Sequence, residues 1–333
     1  MQALVYTGPN QIEMQERPYP ELHDGEVILR IESVGICGSD MHAWRGHDPR
    51  RKPGLVLGHE FVGTVAESAA AGVAVGRRFT GNPLITCGVC EYCVQGRNNL
   101  CANRTMVGMT RPGAFAQFMS LPATSLIEMP QALAVRSAAL TEPAATALHA
   151  LNLSMSVLAR PLPECAVLVI GGGAIGMLAA LLLRDYGVRR LQVAETNPLR
   201  RDSLAAHAGC TAFDPRTETS GESTYDYVMD AVGSEATRKL ALHAVKPGGV
   251  VMHAGLQDGP SSIDMRKLTL AEITLLGTYT YTTGDLRATV AALAQGRFGA
   301  LGWVEERSLG EGPAAFDDLD QGRSAAAKIL LRP

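Results

Sequence analysis

The sequence lacks any run or tail of positive charge. Its 30 Lys and Arg are outnumbered by 33 Asp and Glu, a net charge of −3. Nucleic-acid binding needs a basic face, so that class is disfavoured and no such partner is expected. The opening, MQALVYTGPN, has neither the positive stretch nor the apolar core of a secretory leader. A cytoplasmic setting is therefore expected. Internal repeats and low-complexity tracts are missing too; the Ala-rich AESAAAGVAVG reads as a surface turn. Cysteine is scarce and odd in number, with seven in 333 residues. Without an export signal, that argues against disulfides. With 46% apolar and 19% charged residues, the chain can bury sizeable cores, and its length suggests two domains.

One uncharged run, CAVLVIGGGAIGMLAALLL from Cys165 to Leu183, has the length of a membrane span. Three adjacent glycines would weaken any continuous helix there. A β-branched strand, a glycine turn and a buried helix account for every feature instead, and no membrane is expected.

Within that run, Gly171, Gly173 and Gly176 fit G-x-G-x-x-G, with Ala174 and Ile175 inside the turn. The first glycine allows a tight turn, the second lets a pyrophosphate approach the backbone, and the third lets helix and strand pack closely. A second strand, RLQVAE, ends in Glu195, 22 residues beyond Gly173. A carboxylate there accepts hydrogen bonds from a ribose 2′-hydroxyl and repels a 2′-phosphate, favouring NAD over NADP. Arg200 and Arg201 follow; they either pair with a 2′-phosphate or lie on a solvated helix face. Further on, YDYVMDAVG, KPGGVVMHAG and ITLLGTYTY (273–281) read as strands, and SEATRKLALHAV as an amphipathic helix. The alternation indicates an α/β fold with a doubly wound parallel sheet. Val232, in the turn closing YDYVMDAVG, joins the expected coenzyme contacts. Residues 1–125, by contrast, read as β-rich. Two unlike halves imply a cleft between them.

Four of the seven cysteines, Cys87, Cys90, Cys93 and Cys101, sit at C-x2-C-x2-C-x7-C spacing in a polar loop. Four thiolates around one tetrahedral zinc make a closed site that staples a loop and leaves no position for substrate. An iron–sulfur cluster is the main competitor. Upstream, VGICGSDMHAWRG and LVLGHEFVG supply Cys37, His59 and Glu60. A thiolate, an imidazole and a carboxylate suit zinc, and an incomplete set leaves room for chemistry.

With GHE, the four-cysteine loop and the glycine turn in that order, the whole chain resembles the zinc-dependent medium-chain alcohol and polyol dehydrogenases. The resemblance implies a GroES-like β-rich catalytic domain at 1–145, to which 285–333 returns, and a Rossmann NAD-binding domain at 146–284. It implies two zinc ions per chain, one catalytic and one structural, and NAD. It makes Cys37 and His59 catalytic zinc ligands, with Glu60 binding directly or through water. Glu142, in LTEPAATALHAL, stands where alcohol dehydrogenases place a third, cysteine ligand. Thr146 matches a residue that touches the nicotinamide, Ser39 and His42 a proton relay, and Asp40 an acid that orients His59.

The implied activity is hydride transfer from a secondary alcohol, polyol or sugar-type substrate to NAD. The alternatives are an NADPH-dependent carbonyl reductase and a catalytically silent zinc- and dinucleotide-binding protein. Polyol dehydrogenases carry an arginine where this chain has Thr280, which departs from a sorbitol-type pattern. Trp44, Phe115 and Glu142 are the expected pocket liners. Members of the family form dimers or tetramers, and GTYTYT is the expected joining strand.

Overall fold

The computed structural model describes residues 1–333. The apolar run of residues 165–183 resolves as the fully buried strand Ala166–Ile170, a glycine turn and the helix Ala174–Asp185. That helix spans about 18 Å, short of a bilayer core, and no helix in the chain is long and apolar enough to cross a membrane.

Ala166–Ile170 is buried because it has parallel neighbours on both sides, Arg190–Ala194 and Tyr225–Asp230. The sheet continues outward through Thr211–Phe213 on one flank, and through Val245–His253 and Thr274–Gly277 on the other. All six strands are parallel. Strand order reverses direction at Ala166–Ile170, and such a switch point opens a crevice at the C-terminal strand ends. The glycine turn and Val232 both lie at those ends.

The other half is a seven-stranded, mainly antiparallel sheet. Its long strand Glu26–Gly35 pairs with Glu60–Ser68, so that Gly35 lies opposite Glu60. The C-terminal strand Lys328–Arg332 enters beside it, with Leu330 opposite Gly35. This register brings Glu60 and Lys328 together although 268 residues separate them. Gly35 has to be glycine: a β-carbon there would collide with the Glu60 carboxylate.

Helix Thr141–Met155 packs against Ala174–Asp185 and against helix Thr283–Ala294. It runs through the expected boundary at 145/146, and Thr283–Ala294 runs through that at 284/285. No loop marks either place. The expected strand 273–281 is shorter, Thr274–Gly277. Beyond it, Thr282 caps the helix starting at Thr283 through a reciprocal bond with Asp285, and that cap draws the chain off the sheet. GTYTYT is therefore not a strand past Gly277, and Thr274–Gly277 forms the sheet edge.

Candidate metal and coenzyme site

Cys37 ends a strand-like segment and caps the short helix Gly38–Trp44. The Asp40 carboxylate accepts the Cys37 N–H at 3.1 Å, closing a capping box that fixes the thiol at the helix start. Glu60 opens the strand opposite, Glu60–Ser68, with His59 immediately before it. Donor atoms of Cys37, His59 and Glu60 all lie within 4.8 Å of one another. His59 and Glu60 are buried, 2% and 1% exposed.

The electrostatics of this pocket come from its neighbours. Burial opposes the charged imidazolium of His59, but the Asp40 carboxylate and the Cys37 sulfur outweigh it and hold its pKa well above 6.5. His59 Nδ1 faces Asp40 Oδ1 at 3.5 Å, and both atoms are buried without a hydrogen-bond partner. A metal on the other ring nitrogen would fix the Nδ1–H tautomer that closes this gap. The donor set and the orphaned pair thus both fit a zinc ion.

Lys328, 2% exposed, places its ammonium 2.7 and 2.5 Å from the two Glu60 oxygens and 2.8 Å from the Ile36 carbonyl. Glu142 opens helix Thr141–Met155 close enough to feel the charges of His59 and Glu60, and burial pushes its carboxyl up to about 7. It lies outside the Cys37–His59–Glu60 trio. Its Oε1 accepts the hydroxyl of the wholly buried Tyr281 at 2.7 Å.

Ser39 is held by a residue that sequence reasoning missed. Arg51, nearly inaccessible, donates to the Ser39 carbonyl at 3.1 Å and reaches its hydroxyl at 3.4 Å. Its charge is balanced by Asp48 at 3.0 Å. His42 lies half-buried on the same helix, its ring 5.2 Å from that of His47. Burial and the nearby His47 lower its pKa below 6.5. Trp44 and Phe115, expected as pocket liners, are core side chains that pack on Phe316.

At the coenzyme crevice, Gly171 has φ of +98°, a conformation that favours glycine. A β-carbon there would press on Val232, and one at Gly176 would strike the Gly171 carbonyl. Gly173 faces open space instead, so packing alone does not require glycine there. A phosphate approaching the backbone would require it. Glu195 accepts the N–H groups of Gly172 and Asn197, both at 2.7 Å, and so is fixed at the strand end. Arg201 is not on a solvated face: it donates to the carbonyls of Glu195 and Thr196. Arg200 keeps a buried Nε without a partner. Thr146 lies one turn after Glu142 on the same helix.

In the four-cysteine loop, Cys101 and Cys93 place their sulfurs 3.6 and 4.0 Å from that of Cys87. Tetrahedral zinc with Zn–S bonds of about 2.3 Å requires sulfurs about 3.8 Å apart. The N–H groups of Val89 and Cys90 draw Cys87 down to about 6. The Cys93 N–H pulls Cys90 the same way, but desolvation and its sulfur neighbours prevail and push it up to about 11, so without an ion the loop favours one thiolate and holds the next proton.

Residues 23–131 match the alcohol dehydrogenase GroES-like domain, and residues 174–295 match the zinc-binding dehydrogenase domain. The chain is 30% identical to L-threonine 3-dehydrogenase of Chelativorans sp. (strain BNC1), over 99% of this chain and 98% of that one. The chain belongs to the zinc-dependent medium-chain alcohol and polyol dehydrogenase family. It is thus a zinc- and NAD(P)-dependent oxidoreductase of alcohol, polyol or sugar-type substrates. It is also 29% identical to L-galactonate-5-dehydrogenase of Escherichia coli (strain K12), over 90% of this chain and 89% of that one. Among solved structures, a zinc-binding dehydrogenase from Sinorhizobium meliloti 1021 bound to NADP superposes with a TM-score of 0.88 at 30% identity. The match covers 100% of this chain and 99% of that one.

Proposed function

We propose that this medium-chain dehydrogenase oxidises a secondary hydroxyl on a small polyol or sugar-type substrate, with NAD as acceptor, in the cleft beside Cys37 and His59. The convergence of Cys37, His59 and Glu60 within 4.8 Å carries the reading. When bound, zinc eases ionisation of an alcohol and NAD takes up the hydride. Cys37 and His59 are the fixed ligands, with Asp40 orienting the imidazole. Glu60 is engaged by Lys328 through both oxygens and serves as the outer carboxylate. Tyr281 holds one oxygen of Glu142 and leaves the other to complete the donor set. Ser39, held by Arg51, takes the substrate proton, and His42 passes it to solvent. The lowered pKa keeps His42 neutral and able to accept it.

The coenzyme pyrophosphate rests on Gly171, Gly173, Ala174, Ile175 and Gly176. Val232 borders it, Arg200 lies on the adenosine ribose side just after Glu195, and Thr146 faces the nicotinamide. Glu195 takes the adenosine ribose, which favours NAD over NADP. Cys87, Cys90, Cys93 and Cys101 hold the structural zinc. The lobes are 1–145 with 285–333, and 146–284. Copies of the chain join as a dimer or tetramer along the sheet edge Thr274–Gly277, on which Leu275 is exposed. The enzyme is cytoplasmic.

The test is a screen of polyols, aldonates, threonine and simple secondary alcohols for NADH production, with and without a chelator. One substrate class turns over and chelation stops it. Turnover indifferent to zinc removal contradicts the reading.

A further inference from the structure

The segment that carries Tyr281 is gripped from the four-cysteine loop. Asn99, two residues before Cys101 and 4% exposed, donates from Nδ2 to the Tyr279 carbonyl at 2.8 Å. Asn98, also buried, accepts the Thr283 N–H at 3.0 Å. Arg104 lies over the Tyr279 ring, 4.8 Å from its centre. Between these anchors Thr280 adopts φ of +49°, a strained conformation for a β-branched residue. Such strain persists only where the surroundings over-determine the backbone. On the far side, His149 and Asn152 hold Asp285 at 2.8 and 3.0 Å, tying the following helix to Thr141–Met155. Residues 279–283 are thus clamped at both ends, and Tyr281 emerges between them to meet Glu142.

We propose that Asn99 is a positioning residue for the reaction: from the cysteine loop it fixes the backbone so that Tyr281 presents its hydroxyl to Glu142. The proposal rests on the placing of Glu142 at the reactive metal. It makes the cysteine loop a support of the active site as well as of its own fold.

The two amides play opposite parts, and this gives the test. Asn99→Asp removes the donor and sets a carboxylate against the Tyr279 carbonyl. Asn98→Asp keeps the acceptor, next to a helix start that favours negative charge. Asn99→Asp is expected to lower kcat by on the order of ten- to hundredfold and to speed amide exchange across 278–283. Asn98→Asp changes neither by more than about twofold. Asn99→Ala, which removes the donor without adding charge, follows Asn99→Asp and serves if the latter folds poorly. Added to Tyr281→Phe, Asn99→Ala costs little more, because both act through one hydroxyl. Equal effects of the two Asp variants, or losses that multiply in the double variant, overturn the proposal. Faster exchange with undiminished kcat also overturns it, while leaving the roles of Cys37 and His59 untouched. Exchange is measurable whether or not the protein turns over.

Discussion

The two donor clusters make opposite demands on the protein. The four-cysteine loop draws all its ligands from 15 consecutive residues, three of them in half-exposed or exposed positions. Four like thiols at that spacing would close on a single ion by themselves. The Cys37–His59–Glu60 cluster draws on separate segments and is enclosed by Lys328, Asp40 and Glu142. A closed site needs only spacing. A site that must keep one position free has to bury unlike charges and balance them with residues from elsewhere in the chain.

Substitutions at the two clusters should therefore fail differently. On the proposed ligand set, Cys37→Ser removes an inner ligand, and the several kcal/mol that a bound metal would supply correspond to a loss of turnover of about a thousandfold. Coenzyme affinity, followed by NADH fluorescence titration, should remain within a few-fold. A Cys37→Ser enzyme with substantial turnover erases the distinction. Lys328→Met leaves Glu60 charged, buried and unpaired. Breaking such a pair costs about 3–5 kcal/mol, readable in urea unfolding, and Glu60→Gln in the same chain should restore much of it. Cys93→Ser should lower the melting temperature by roughly 5–10 °C. Its turnover, measured well below that temperature, should fall no further than that of Tyr281→Phe. The smallest effect lies at His42. Its pKa is lowered, so its neutral, proton-accepting form persists below pH 6.5 and is lost only as pH falls further. Oxidation should hold its rate down to that range, and His42→Asn should flatten the acid limb of the kcat profile with a few-fold loss.

The same contrast explains what could be read from the chain. The cysteine spacing, the G-x-G-x-x-G turn and Glu195 are local patterns, and each lies where its spacing implied. Cys37, His59 and Glu60 were nameable because GSD and GHE are short, although their meeting depends on the pairing of Gly35 with Glu60. Lys328 had one signal, a lone charge inside the apolar AAAKILL, and lysine is almost never buried unless paired. Its partner lies 268 residues away, beyond any local pattern. Tyr281 stands next to Thr280, the residue that sequence comparison singled out. The helix cap at Thr282 that turns the chain decides which side chain reaches Glu142. Arg51 sits in a polar stretch of arginines, and only the folded loop shows which one turns inward.

Helix Thr141–Met155 sets a distance as well as a boundary. It carries Glu142 and Thr146 four residues apart on one continuous rod, about 6 Å along its axis. If Glu142 serves the metal and Thr146 the nicotinamide, as proposed, helical pitch sets the spacing between those two roles, and no loop length can vary it.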